Sequence, residues 1–200
     1  MDELEALHQE VRQCTKCPLS QGRTLAVPGE GPRNAQVMFV GEAPGFHEDR
    51  QGRPFVGAAG AFLNELLASI GLKREDVYIT NIIKCRPPGN RDPYMDEIEA
   101  CSPYLDRQVA LIHPKIIVTL GRYSLAHWLP NAKISQVHGK PMRVGNLVIF
   151  PMYHPAAALH QPALKRTVEE DFRKLGAFLT GLLKAEEEQP PEEPKQLSLF

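Results

Sequence analysis

This sequence is short of several things. It has no apolar stretch near the roughly 20 residues that span a bilayer. No charge sign dominates, since 23 basic residues face 24 acidic ones. No internal repeat is visible, and 200 residues suit one domain with an ample core. The opening segment, MDELEALHQEVRQ, is acidic and amphipathic and has no apolar run, so it does not read as a secretory leader. The expected setting is therefore the cytoplasm, without membrane association. Cysteine is scarce as well, at four residues. Thiols stay reduced in the cytosol, which argues against a disulfide scaffold.

The near-zero charge averages unlike parts. Residues 185–200, AEEEQPPEEPKQLSLF, hold five glutamates and one lysine, so the body carries 22 basic against 19 acidic residues, a formal +3. A mildly basic body permits DNA binding without demanding it. Its densest basic spots are KCRPPGNRDP (84–93) and LKRT (164–167). The Glu/Pro/Gln-rich end reads as a disordered tail, which divides the chain into a domain over 1–184 and a tail over 185–200.

The four cysteines fall in two pairs, Cys14-x-x-Cys17 and Cys85 with Cys101. A C-x-x-C turn places two thiolates on one metal or cluster. Adding the second pair would tie the N-terminal segment to the middle of the domain. Spacing alone does not choose zinc over iron–sulfur.

Four nearly continuous apolar runs, Val37–Val40, Val77–Thr80, Ile116–Leu120 and Leu147–Phe150, suit strands buried on both faces. Helical segments are expected over residues 2–13, over Ala58–Ile70, from Pro93 to about Ile112 in two pieces that break near Cys101, just after Gly121, and over Val168–Leu183. The alternation implies an α/β fold with a parallel sheet.

In such sheets ligands sit beyond the C-terminal ends of the strands. Here those ends carry Gly41-Glu42-Ala43-Pro44-Gly45, then Thr80-Asn81, then Leu120-Gly121-Arg122, then Tyr153-His154-Pro155-Ala156. A carboxylate, an amide, glycines and a histidine are thus delivered to one edge, which predicts a shared ligand site.

These residues resemble family 4 uracil-DNA glycosylases, the iron–sulfur-containing bacterial and archaeal type. The resemblance rests on Gly41–Gly45, Gly52–Gly57, Thr80-Asn81 within TNIIKCRPPGNRDP, and His154-Pro155-Ala156, in order, and runs from about Leu4 to Leu183. It implies a three-layer α/β/α sandwich around a four-stranded parallel sheet. It also implies a structural [4Fe–4S] cluster on Cys14, Cys17, Cys85 and Cys101. The implied activity is monofunctional: uracil is flipped out of DNA, its N-glycosidic bond is hydrolysed and an abasic site remains. A lyase would need an amine nucleophile, and the strand-end motifs supply no lysine.

The residue types fit those roles. His154 is the candidate donor to uracil O2, and Asn81 can read N3–H and O4 with one amide. Phe55 offers a stacking face. Glu42 is placed to hold water or to offset charge on the sugar. Glu48 is a candidate for blocking the C5 position against thymine's methyl, and Asp49 reads as a loop carboxylate at the mouth. Arg86 and Arg91 are candidate phosphate contacts. Leu159, after His154, is the candidate wedge, although Ala158 and His160 depart from what related enzymes carry.

The last five residues, Gln196-Leu197-Ser198-Leu199-Phe200, resemble the bacterial sliding-clamp-binding motif, with Gln196, Leu197, Leu199 and Phe200 as the docking side chains. The expected partners are uracil-containing DNA and a sliding clamp, the expected state is a monomer, and the expected location is the nucleoid. The competing reading is a non-catalytic DNA polymerase- or clamp-associated binding module of the same fold.

Overall fold

Val37–Gly41 (β1), Tyr78–Asn81 (β2) and Ile116–Leu120 (β3) are buried along their whole length in the computed structural model, which describes residues 2–187. Met142–Val144 (β4) is a short edge strand and Leu147–Met152 (β5) is buried after its first residue. The sheet order is β2-β1-β3-β5-β4. The first four strands are parallel, and β4 pairs antiparallel with β5. The sheet therefore has five strands rather than the expected four. The extra strand is three residues long and incompletely buried, so it leaves no apolar run. Its one local signal is the two-residue Gly145-Asn146 turn, with Gly145 at φ 59°, which is hairpin chemistry.

The helices are Glu3–Arg12 (α1), Leu19–Gly22 (α2), Phe46–Gln51 (α3), Ala58–Ser69 (α4), Met95–Ile112 (α5), Arg122–Trp128 (α6), Ile134–Val137 (α7), Pro155–His160 (α8) and Pro162–Glu187 (α9). Alternate residues of each strand feed two cores. Val37, Phe39 and Val118 pack with Phe62 and Leu66 of α4 and Phe172 and Leu175 of α9. Met38, Val40 and Ile117 pack with Leu4, Leu7 and Val11 of α1 and Tyr104 and Leu105 of α5. Burial on both faces is why the strands read as continuous apolar runs.

Two helix expectations are corrected. α5 is one continuous helix through Pro103, not two pieces. Pro103 cannot donate to the Glu99 carbonyl, and the Ser102 hydroxyl takes that acceptor instead, at 3.4 Å. Its start lies at Met95, where the Tyr94 N–H donates to Glu97 Oε2 at 2.8 Å, so Asp92-Pro93 precedes the helix. α9 begins six residues ahead of the expected Val168. No helix among the described residues is long and apolar enough to cross a membrane.

Candidate active site

The C-terminal ends of β1, β2 and β5 open into a cavity of about 300 Å³. Its lining includes Glu42, Glu48, Phe55, Asn81, Asn90, Arg91 and His154, so the residues singled out at the ends of β1, β2 and β5 come together, whereas Gly121 and Arg122 at the end of β3 are not part of the lining. Gly41 forms the point of closest approach: a Cβ there would lie 2.4 Å from Asn81 Oδ1 and 2.7 Å from the Phe55 ring.

Asn81 ends β2 and is 1% exposed, yet its Oδ1 has no hydrogen-bond partner. Buried polar atoms are nearly always paired. Among the described residues only one other buried side-chain oxygen shares this state, Thr119 Oγ1, one residue before the end of β3. An unpaired acceptor beside a cavity can take a donor from a bound molecule.

His154 caps α8. The Ala156 N–H donates to its Nδ1 at 3.1 Å, so a neutral ring carries its proton on Nε2. Burial pushes the imidazole pKa down to about 4, against a small upward pull from Glu48. The ring is therefore a neutral donor at physiological pH. It lies 5.5 Å from Phe55, nearly parallel at 22°. Phe55 itself is buried and sits at φ 50°.

The carboxylates differ. Burial raises the pKa of Glu42, the neighbouring Asp92 raises it further, and Arg122 opposes them. Glu48 Oε1 accepts the N–H groups of Val56 and Gly57, both at 2.9 Å, and so ties α3 to the loop that carries Phe55. Asp49 is not at the mouth. It is 4% exposed, and its Oδ1 accepts the Thr24 N–H at 2.9 Å.

At the rim, Arg91 makes a two-pronged pair with buried Glu97, at 2.9 and 2.7 Å, and lies 3.7 Å from the Tyr94 ring centre. Arg86 donates to Asn90 Oδ1 at 2.7 Å and stands 5.2 Å from the ring of exposed Phe46. Leu159, near the end of α8, is 43% exposed.

The profile of the uracil DNA glycosylase superfamily matches residues 28–176. A type-4 uracil-DNA glycosylase of Sulfurisphaera tokodaii is 54% identical over 185 residues, covering 88% of this chain and 84% of that protein. Those of Saccharolobus solfataricus (52%, covering 90% and 88%) and Archaeoglobus fulgidus (50%, covering 88% and 93%) are similar to it over a like extent. The chain belongs to the type-4 uracil-DNA glycosylase family.

In this type-4 member the four cysteines line a second hollow together with Val11, Leu19, Ile83 and Tyr104. Cys14 and Cys17 follow α1, Cys85 lies just past β2, and Cys101 is on α5. Three sulfurs already accept donors: the Lys16 N–H at 3.5 Å from Cys14, the Lys84 N–H at 3.3 Å from Cys101, and the Arg23 guanidinium at 3.1 Å from Cys85. Burial raises the Cys85 thiol, and it raises Cys101 to about 11 despite the Lys84 ammonium. Four thiolates would need a positive centre between them. Among the described residues no three of His, Cys, Asp or Glu are placed to hold a single metal ion. Soft donors with N–H groups aimed at sulfur fit a thiolate-held cluster.

Sequence reasoning missed several residues in this type-4 site. Asn90 lines the pocket at φ 55°. Asp92 accepts from Arg122 at 2.5 Å and from the Tyr123 hydroxyl at 3.0 Å. Lys84 is fully buried, and its Nζ donates to Thr80 Oγ1 (2.6 Å), the Asn81 carbonyl (2.7 Å) and Gln108 Oε1 (2.7 Å). Nothing in the local sequence distinguishes that lysine from a solvated loop charge.

Proposed function

We propose that this protein excises uracil from DNA. It hydrolyses the N-glycosidic bond, releases the free base and leaves an abasic site. Asn81, whose Oδ1 has no protein partner, lines the same cavity as a neutral His154 protonated on Nε2, and this pairing carries the reading. Uracil N3–H donates to Asn81 Oδ1, and the amide nitrogen meets O4. The His154 Nε2–H donates to O2, where negative charge builds as the C1′–N1 bond breaks. Phe55 stacks on the flipped base. Glu42 holds the water that attacks C1′ and takes its proton, a task suited to a carboxylate of raised pKa. Glu48 contributes by fixing the Phe55 loop through its two N–H contacts, which supports a shaping role for it at the C5 side of the base. No lysine lines the pocket among the described residues, in keeping with hydrolysis rather than lyase chemistry.

Cys14, Cys17, Cys85 and Cys101 would hold a [4Fe–4S] cluster. When bound, it serves as a cross-link between the segment after α1, the loop after β2 and α5, and it takes no part in bond cleavage. Arg86 and Arg91 contact phosphates beside the pocket, and Leu159 fills the gap left by the flipped nucleotide. A catalytic body and an acidic tail remain the proposed division of the chain. The clamp-binding residues Gln196, Leu197, Leu199 and Phe200 lie outside the described residues. Their proposed partner is a sliding clamp, and the proposed working state is a cytoplasmic, nucleoid-associated monomer.

The deciding experiment is incubation with a uracil-containing single strand followed by alkali. Strand scission at the uracil is expected. An intact strand would leave the non-catalytic module as the better account.

A further inference from the structure

Phe55 occupies a costly conformation. Its φ of 50° lies in the left-handed region that bulky residues avoid, and such strain persists only where surrounding structure over-determines it. Two neighbours grip its peptide. Arg74, in the short turn Arg74–Asp76 ahead of β2, donates from Nη1 to the Phe55 carbonyl at 2.8 Å and from Nη2 to the Pro54 carbonyl. From the other side, Gly60 presses so close that a Cβ there would lie 1.8 Å from the Phe55 oxygen.

Arg74 is itself held. Its Nε donates to Glu30 Oε1 at 2.6 Å, and Glu30 also takes Arg53 at 2.7 and 3.0 Å. Burial alone would raise the Glu30 carboxyl, but the two guanidiniums more than offset it and keep it charged. The Arg74 side chain is 15% exposed and is not part of the pocket lining. A planar fork spanning two successive carbonyls fixes a peptide's orientation in a way a point charge does not.

We propose that Arg74 is a positioning residue: by clamping the Pro54 and Phe55 carbonyls it holds the Phe55 ring in the plane that receives the flipped base, and so sets the uracil affinity of a pocket it does not touch. This rests on the reading of Phe55 as the stacking surface. Without the fork the peptide relaxes toward negative φ, and the ring turns out of line with His154.

The test compares Phe55→Ala, Arg74→Met, Arg74→Lys and the double variant Phe55→Ala/Arg74→Met. It measures single-turnover uracil release, inhibition by free uracil, and Tm. Arg74→Met is expected to slow release and weaken uracil inhibition by about tenfold each, but by less than about twofold once Phe55 is alanine. Arg74→Lys keeps the charge beside Glu30 without the fork, so it should behave like Arg74→Met while holding its Tm. Additive losses in the double variant would overturn the proposal, as would full activity in Arg74→Lys or unchanged uracil inhibition in Arg74→Met. Normal activity in Phe55→Ala would remove the stacking role of Phe55 and the clamp with it. A slow Phe55→Ala beside a normal Arg74→Met would refute the clamp alone.

Discussion

Replacing Asn81 with leucine separates binding from folding. Leucine matches asparagine closely in shape, so the pocket wall keeps its volume while both polar atoms vanish. On the ligand side, uracil N3–H and O4 each lose a partner inside the pocket. An unpaired buried polar group costs about 1–3 kcal/mol, so two together remove about 2–6 kcal/mol from kcat/KM, which is about 30-fold or more. On the folding side little should change, because no protein group pairs with Asn81 Oδ1 and none is orphaned when it goes. The Tm should therefore stay within about 2–4 °C of the parent, the shift that about 1 kcal/mol gives a domain of this size. Uracil release from a single-stranded oligonucleotide and a thermal melt read the two effects separately. A near-normal rate would refute the base-reading role. A rate loss that came with a lower Tm would show that Asn81 is a structural residue after all.

Three further variants, at His154, Glu42 and Cys101, have expected outcomes. His154→Phe keeps a ring beside Phe55 but loses the Nε2 donor, and single-turnover rates should fall by about 10²–10³-fold. Because His154 titrates at about 4 when folded and near its ordinary 6.5 when unfolded, the unfolded chain binds more protons in between, so stability drops as pH falls from 6.5 toward 4. The Tm loss between pH 7 and pH 5 should be smaller in His154→Phe than in the parent. Glu42→Gln should slow hydrolysis by about 10²-fold and abolish an acid limb of the pH–rate profile that lies above the usual carboxylate range, since burial raises this group. Cys101→Ser should give a purified protein without brown colour and with a lowered Tm; a brown protein of unchanged melting would sink the four-cysteine assignment.

The strands were legible because each is buried on both faces and so reads as an unbroken apolar run. Their ends were legible because parallel sheets gather function there, and Glu42, Asn81 and His154 indeed line one cavity. What escaped was set by contacts distant in sequence. The edge strand Met142–Val144 has little burial of its own and exists through pairing with β5. Pro103 reads as a helix break, yet the Ser102 hydroxyl and the packing of Tyr104 and Leu105 carry the helix through it. Asp49 reads as a surface carboxylate because its partner, the Thr24 N–H, lies 25 residues away. Lys84 and Arg74 are ordinary loop cations in sequence, and only the fold aims them at peptide carbonyls.

Gly41 sets a limit of a different kind. The approach of Asn81 and Phe55 across it leaves no space for even a methyl group. What lies between those two side chains is main chain, the last residue of β1, paired with Asn81 of β2 and accepting the Ile82 N–H at 3.0 Å. Side chains yield by changing rotamer, but a paired strand does not. The spacing between Asn81 and Phe55 is thus held by sheet backbone, and a side chain added at Gly41 would have to push one of them aside.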